Sequence, residues 1–272
     1  MLTESFMIRA FLVALFLCPL CALLGVFVTS RRMSFFGETI AHGAIGGVAI
    51  GIFLGLVNPT PAVVGFSFLI AAALLWLREA TELATDTIMA LLLSGSISLG
   101  MLMLSRMKGD FRGDIHRILF GDILAVGPQD VLIAGVLLVV ISVLIFTRLS
   151  HLTLLSAQEE LAHVCGVRVR RLNYLFVLAL TLTVAISVRL VGILLVTPML
   201  VIPAASARNI SRNLRQQIIF SLGIGIVGGL AGVALAYHLE APCGPAIVMT
   251  CIGIFLITLI VRPLAFNSRP AK

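Results

Sequence analysis

A glutamate and a histidine lie four residues apart in a stretch that is otherwise apolar. The segment from Arg31 to Gly55 has the sequence RRMSFFGETIAHGAIGGVAIGIFLG, in which Glu38 is the acid and His42 the imidazole. On a helix of about 3.6 residues per turn, the two side chains share one face about one turn apart. Carboxylate oxygen and neutral imidazole nitrogen both bind divalent metal ions. The pair therefore predicts a site that can hold a cation.

The rest of this segment predicts a helix that is packed among others in a membrane. Small residues at every fourth position let a second helix approach closely, and the glycines at this spacing are Gly43, Gly47, Gly51 and Gly55. Gly46 and Ile50 are predicted to continue the stripe of Glu38 and His42. A charge at the bilayer centre costs about 2.5 to 3.5 kcal/mol, so such residues usually face a bundle interior or a watery cavity. The alternative is that Glu38 lies near the membrane surface and only bonds a neighbouring group.

The composition is that of a polytopic membrane protein. The 272 residues are 60% hydrophobic and 11% charged, with a mean hydropathy of +1.16. Apolar runs of about the length of a bilayer span occur at 10–29, 39–57, 60–77, 87–105, 129–147, 172–188, 190–207, 217–237 and 243–261. They lack the alternation of β-barrel strands. We expect an all-α protein with about nine transmembrane helices in one domain, residues 1–272.

The net charge of +7 predicts an orientation rather than a nucleic-acid partner, because the basic residues lie between the apolar runs and not in one patch. Placing the 31–37 turn inside puts 13 of the 19 Lys and Arg residues in the cytoplasm. The N-terminus is then outside and the C-terminus inside, with lipid around the bundle. No cleavable signal is expected, because the first run has spanning length and is followed by Arg31 and Arg32.

Several other polar groups have simpler explanations than chemistry. The five cysteines lack a metal-ligand pattern and are predicted to be small apolar residues; they are Cys18, Cys21, Cys165, Cys243 and Cys251. The acids and histidine of the 106–128 connection are typical of a solvated loop; they are Asp110, Asp114, His116 and Asp122. Pro198 and Pro203 interrupt the seventh run, which could therefore be partly re-entrant.

The inside connection from 148 to 171 predicts a short amphipathic helix over 156–166. Ser156 and Glu159 form an S-x-x-E capping box, and Gly166 stands at a C-terminal cap position. The predicted apolar face consists of Leu161, Ala162 and Cys165. Such a helix docks on a partner or lies among lipid headgroups, which the flanking Arg168, Arg170 and Arg171 would also suit. The chain contains no G-x-x-x-x-G-K-[ST] phosphate loop, so we expect ATP to bind elsewhere.

The glycine-rich eighth run ends in His238 and Glu240. These two residues are either further cation ligands at the outer end of the bundle or the solvated end of a helix.

Together these segments resemble the permease subunit of bacterial metal-ion ABC importers, the family that takes up zinc, manganese or iron(II). The most specific are RRMSFFGETIAHGAIGGVA, DTIMALLLSGSISLG, LFGDILAV, SAQEELAHVCGV, VGILLVTPMLVIPAASAR and EAPCGPAIV. RRMSFFGETIAH and LFGDILAVGPQD look closest to the zinc-uptake branch.

The resemblance implies roles for particular residues. Glu38 and His42 match the pair that passes the metal, although the family more often has Asp at the first position. Glu240 matches a weaker site, with His238 beside it. The 156–166 segment, including Ser156, Glu159, Glu160, Ala162 and Gly166, resembles the coupling helix that lies in a groove of the ATPase subunit.

The resemblance also implies a fold similar to cobalamin-type importers, in the bacterial plasma membrane. Two permease copies would lie above two ATP-binding subunits, with an extracytoplasmic metal-binding protein docking outside. The permease would not itself be an enzyme, and we expect a transported divalent ion, Zn²⁺, rather than a tightly bound cofactor.

The leading hypothesis is that ATP hydrolysis in the partner moves the 156–166 helix and alternates access to Glu38 and His42. The alternatives are a manganese or iron(II) importer permease and a proton-coupled secondary carrier, for which intramembrane Glu and His are also suitable. A membrane metalloprotease is disfavoured because H-E-x-x-H is absent. Metal ligands must be deprotonated, so we expect uptake to fall as His42 takes up a proton at low pH.

Overall fold

The computed structural model describes residues 5–56, 58–106, 126–157, 162 and 164–266, and within these ranges it contains helices and no strand. The helices are α1 (Ser5–Ser30), α2 (Phe36–Phe53), α3 (Thr60–Ala80), α4 (Thr85–Arg106), α5 (Pro128–Thr147), α6 (Leu149–Ala157), α7 (Val169–Val191), α8 (Ile193–Ile210), α9 (Leu214–Leu239) and α10 (Cys243–Phe266). In this part of the chain, all of them except α6 are long and apolar enough to cross a membrane. The prediction of an all-α fold with nine spans is confirmed.

The helices form two compact units, and one of them contains α1, α5, α9, α10 and α8 from Pro198 onward. In this unit α1 packs on α5 and α9, and α9 packs on α10. The glycines of α9 allow a close approach: a Cβ atom at Gly225 would lie 2.8 Å from the Cβ of Ala22 on α1. The hydroxyl of Ser221 donates a hydrogen bond of 2.9 Å to the carbonyl oxygen of the same Ala22. Small residues and one buried hydrogen bond therefore hold α9 to α1.

The other unit contains α2, α3, α4, α6, α7 and the first residues of α8. Here α2 packs against α3, α4 and α7, and α3 also contacts α7. The helix α2 is therefore central to this unit, and its rotation decides where its polar side chains face. The prediction of one domain over residues 1–272 stays a prediction.

The proline-containing segment is a continuous helix. Residues 193–210 stay helical through Pro198 and Pro203, and α8 is one of the helices long enough to span. The break lies earlier, at Gly192, whose φ of 84° ends α7. A positive φ is readily adopted only by glycine. The prediction that the prolines interrupt this segment is therefore wrong, because both prolines lie inside a helix and the break is at Gly192.

The cysteines of the described residues are all free, and four of them are buried as small apolar side chains. Cys165 is the exception, because it is exposed. The Asp and His residues of the 106–128 connection lie outside the described residues.

Candidate functional site

Glu38 stands in the first turn of α2, which begins at Phe36. The amide of Phe36 donates a 3.0 Å hydrogen bond to the carbonyl of Met33, so a tight turn leads into the helix. The first backbone amides of a helix carry partial positive charge, which favours a carboxylate there. His42 follows one turn deeper. The glutamate is thus near one end of the helix. This agrees with the alternative that placed Glu38 near the membrane surface rather than at the bilayer centre.

Glu38 and His42 share one accessible face of α2. The Nε2 atom of His42 lies 4.0 Å from Oε1 of Glu38. The side chain of His42 is 26% exposed and that of Glu38 is 40% exposed. This separation is too long for a hydrogen bond. Two ligand atoms that each bind one ion at about 2.1 Å are at most about 4.2 Å apart. A tetrahedral ion needs two such ligand atoms about 3.4 Å apart, so one cation can bind both side chains after a small rotation about side-chain bonds, without a movement of the backbone.

The opposite face of α2 is fixed by contacts of its glycines with α3. A Cβ atom at Gly47 would lie 2.7 Å from the Cα of Val63, and one at Gly51 would lie 3.1 Å from the Cα of Pro59. At Gly43 the added atom would meet the side chain of Ile70. Because the contacts of Gly47 and Gly51 reach backbone atoms, these glycines allow α2 and α3 to pack at a distance that larger residues would prevent. The predicted ridge therefore exists, and α3 packs against it.

Gly55 does not belong to this ridge. It lies beyond the end of α2 with a φ of 68°, and a Cβ atom added to it would meet no atom within 4 Å apart from its two chain neighbours. The amide of Leu56 donates to the carbonyl of Gly51 at 3.0 Å, which is the bond of a glycine-capped helix end. Gly55 ends the helix, so the prediction of a fourth packing glycine is wrong.

The contact with α4 corrects the predicted accessible stripe. A Cβ atom at Gly100 of α4 would lie 3.1 Å from the amide nitrogen of Gly46, so Gly46 is on the packed side. The hydroxyl of Thr39 donates a 2.9 Å hydrogen bond to the carbonyl of Phe35 and lies 3.3 Å from the carbonyl oxygen of Met89 on α4, so Thr39 is on the same packed side. Between residues 38 and 51 the accessible side chains are Glu38, His42, Ile45 and Ile50.

Arg31 attaches the turn before α2 to α7. Its guanidinium donates a hydrogen bond to the side-chain oxygen of Asn173 and lies 5.1 Å from the ring centroid of Phe176. Cation–π contacts within about 6 Å are favourable. In the sequence, Arg31 was informative only about the orientation of the chain in the membrane. No sequence pattern indicated that it contacts Asn173 and Phe176.

Glu240 and His238 lie in the other unit, at the end of α9. Both are exposed, and the His238 ring makes an edge contact with Tyr237 at 5.8 Å between centroids. Glu240 has a φ of 50°, and the amide of Ala241 donates to the carbonyl of Ala236 at 3.0 Å. A glutamate therefore occupies the left-handed position at which helices usually end with glycine. Across the described residues, no three His, Cys, Asp or Glu side chains group closely enough to hold a metal ion.

The predicted coupling segment differs from its sequence-based outline. Ser156 is inside α6, one residue before its end, and does not begin a helix. The reason is that Leu152 and Leu155, three residues apart, are buried and extend α6 back to Leu149. Glu159 and Glu160 lie outside the described residues.

The end of this segment presents a different surface from the predicted one. Ala162 is fully buried, whereas Val164 is 85% exposed and Cys165 is exposed. Gly166 has a φ of 74°, and the Val167 amide donates to the Ala162 carbonyl at 3.0 Å, as expected of a helix capped by glycine. Val164, which the sequence did not single out, is an exposed apolar side chain in the described part of this segment.

Comparison with known proteins decides the family. The ABC 3 transport family matches residues 3–262, which is nearly the whole chain. The chain belongs to the ABC 3 transport family. It is therefore an ABC permease subunit, and the hydrolysis of ATP belongs to a separate subunit.

Individual members of the ABC 3 family align with this permease over most of their length. It is 33% identical to the high-affinity zinc uptake system membrane protein ZnuB of Haemophilus influenzae, over 93% of this chain and 96% of the relative. It is 30% identical to the manganese import system permease protein ScaB of Streptococcus gordonii, over 95% and 92% respectively. Among solved structures, PsaBC from Streptococcus pneumoniae in complex with Fab has a TM-score of 0.83 at 29% identity, covering 96% of this chain and 94% of that one.

Proposed function

We propose that this permease belongs to an ATP-driven importer of divalent metal ions in the bacterial plasma membrane, and that its cargo is Zn²⁺. The observation that carries the proposal is the His42 and Glu38 pair, 4.0 Å apart on the accessible face of a packed spanning helix. A carboxylate and an imidazole suit borderline divalent ions, and the absence of a thiolate keeps the site weak enough to release its ion. The 33% identity to a zinc uptake protein favours zinc.

Manganese is the second candidate cargo. It is supported by the 30% identity to a manganese import permease over 95% of this chain. Carboxylate ligands suit Mn²⁺ and imidazole suits Zn²⁺, so one of each does not decide between these ions.

We further propose that a second copy of the permease completes the site. Two side chains from one copy leave an ion with too few protein ligands, since Zn²⁺ usually has four ligands in all. In a two-fold symmetric dimer the same patch of each copy meets the other. The accessible face of α2 would then contribute Glu38 and His42 twice, and water or backbone oxygen could supply any remaining ligands.

The transport cycle would be driven through α7. The exposed Val164 and the turn at Gly166 directly precede α7, and α7 contacts α2 within the same unit. Arg31 adds a polar connection from the start of α2 to Asn173. In this proposal, movement of the ATPase subunit shifts the first turn of α7, and α2 moves with it. This movement changes the side of the membrane from which Glu38 and His42 are accessible.

The test is metal uptake by proteoliposomes that contain the permease, its ATPase subunit and its metal-binding protein. We expect ATP-dependent accumulation of radiolabelled zinc that excess unlabelled zinc suppresses more strongly than manganese. Stronger suppression by manganese would instead favour the second candidate. Uptake that persists without the ATPase subunit would favour a secondary carrier and contradict the proposal.

A further inference from the structure

A basic cavity lies at the start of α7, separate from the Glu38 and His42 pair. Its volume is about 470 Å³, within the range of about 300–1,000 Å³ typical of small-molecule sites. The lining side chains include three arginines and a histidine, together with two leucines of α7: Arg148, His151, Arg168, Arg171, Leu172 and Leu175. The cavity is open on one side and combines positive charge with an apolar wall.

The three arginines have no carboxylate partner among the described residues. Their neighbour Arg170 differs, because its guanidinium lies 2.6 Å from Oε2 of Glu79, and Oε1 of the same carboxylate accepts a hydrogen bond from Tyr174. Arginines grouped around one cavity attract an anion, and the guanidinium group binds phosphate oxygens in a bidentate way. The charge therefore favours a phosphate-bearing ligand.

The apolar wall of the cavity continues along a spanning helix. Arg171, Leu175 and Leu178 are exposed at spacings of four and three residues, so they form one stripe on α7, which Leu182 extends. Leu175 and Leu178 are 36% and 40% exposed. A free phosphate compound would use only the charged end. A lipid would place its phosphate near Arg171 and an acyl chain along the leucines.

We propose that this cavity is a binding site for an anionic phospholipid such as phosphatidylglycerol. Basic pockets between transmembrane helices bind anionic headgroups in this way. The site adjoins Gly166 and Val167, so the bound lipid would hold the end of the proposed coupling segment against the membrane surface. The binding itself does not depend on which metal the permease transports.

The experiment is native mass spectrometry of the full-length permease with its ATPase subunit, titrated with phosphatidylglycerol and, separately, with zwitterionic phosphatidylcholine. We expect retention of phosphatidylglycerol and little retention of phosphatidylcholine. The double variant Arg168→Gln with Arg171→Gln should weaken phosphatidylglycerol binding on the order of thirtyfold. The reason is that each basic side chain near an anionic lipid strengthens binding by about five- to sixfold. The single Arg148→Gln variant gives a second test if the double variant folds poorly.

A matched control removes the same charge elsewhere. Arg212 and Arg215 are exposed at the start of α9, which the sequence-based topology places on the same membrane side. Arg212→Gln combined with Arg215→Gln should leave phosphatidylglycerol binding unchanged. An equal loss of phosphatidylglycerol binding in this control would show that binding depends only on the total positive charge. That result would contradict a specific lipid site at the cavity.

Two further measurements separate the sources of phosphate and the possible occupants. Leu178→Gln should weaken phosphatidylglycerol binding, and glycerol 3-phosphate should not displace the lipid at equal concentration. Equal binding of glycerol 3-phosphate would point to a site for free phosphate compounds and contradict the lipid assignment. A weaker association of the ATPase subunit with the arginine variant, with lipid binding intact, would make the cavity a subunit contact instead.

Discussion

His42 and Glu38 lie one helical turn apart with Nε2 and Oε1 separated by 4.0 Å, on the accessible side of a helix whose other side is packed. The glycines of α2 hold this arrangement, since they let α3 contact the helix backbone. The orientation of the polar pair is therefore a consequence of packing on the opposite face.

Replacing Gly47 with alanine tests this dependence. The added Cβ would lie 2.7 Å from the Cα of Val63, and a backbone atom cannot move aside as a flexible side chain would. We expect Gly47→Ala to lower the stability of the folded permease by about 1–3 kcal/mol, as overpacking usually does, and to reduce metal uptake. Thermal unfolding in detergent and uptake by proteoliposomes measure the two effects.

The control for this variant is Gly65→Ala, because a Cβ built at Gly65 would meet no atom within 4 Å beyond its chain neighbours and the backbone of its own helix. Because alanine favours the helix more than glycine does, it should unfold at the same or a higher temperature and transport like the unchanged protein. If Gly47→Ala also did so, α2 would not depend on close packing for its orientation.

One substitution at Glu240 can distinguish a residue that only ends helix α9 from a residue that binds metal. A non-glycine residue at a φ of 50° carries strain of about 1 kcal/mol. Glu240→Gly should therefore raise the free energy of unfolding by about that amount. We expect uptake to fall if the carboxylate binds metal on its way in, and to be unchanged if the residue only ends α9.

The partner variant Glu240→Gln keeps the strained backbone and removes the charge. Equal losses of uptake in both variants would assign a role to the carboxylate. Normal uptake in both would remove Glu240 from the metal path.

Val164 should mediate coupling to the ATPase subunit. Its side chain is 85% exposed at the end of the segment that precedes α7. Val164→Asp puts a charge into the proposed subunit contact, so we expect metal-stimulated ATP hydrolysis and uptake to fall by about tenfold each. Metal capture by the external binding protein should not change. ATPase assays on the reconstituted complex provide the measurement.

Cys165→Ser is the matched control, since Cys165 is also exposed and the change adds no charge. It should leave both activities intact. A Val164→Asp variant with normal coupling would show that the ATPase subunit engages a different surface.

Hydropathy alone predicted the nine spans, because the membrane requires about 20 apolar residues for each crossing. The spacing of Glu38 and His42 likewise predicted their common face. Helical periodicity could not decide whether Ile45 or Gly46 continues that face, since both lie about one turn beyond His42. Only the position of α4, which packs against Gly46, decides it.

The coupling segment was harder to predict for a different reason. The S-x-x-E pattern at Ser156 competes with the apolar spacing of Leu152 and Leu155, and burial of the leucines determines where α6 lies. Sequence patterns also do not indicate long-range partners such as Asn173 for Arg31, since 142 residues separate the two.

The most direct test of the central claim is zinc uptake by proteoliposomes containing His42→Ala permease, its ATPase subunit and its metal-binding protein. The control Ile50→Ala truncates another side chain on the accessible face of α2, and Glu38→Asp keeps the carboxylate. We predict that His42→Ala lowers uptake at least about tenfold with basal ATP hydrolysis unchanged, whereas both other variants transport zinc. Normal zinc uptake by His42→Ala would contradict the account.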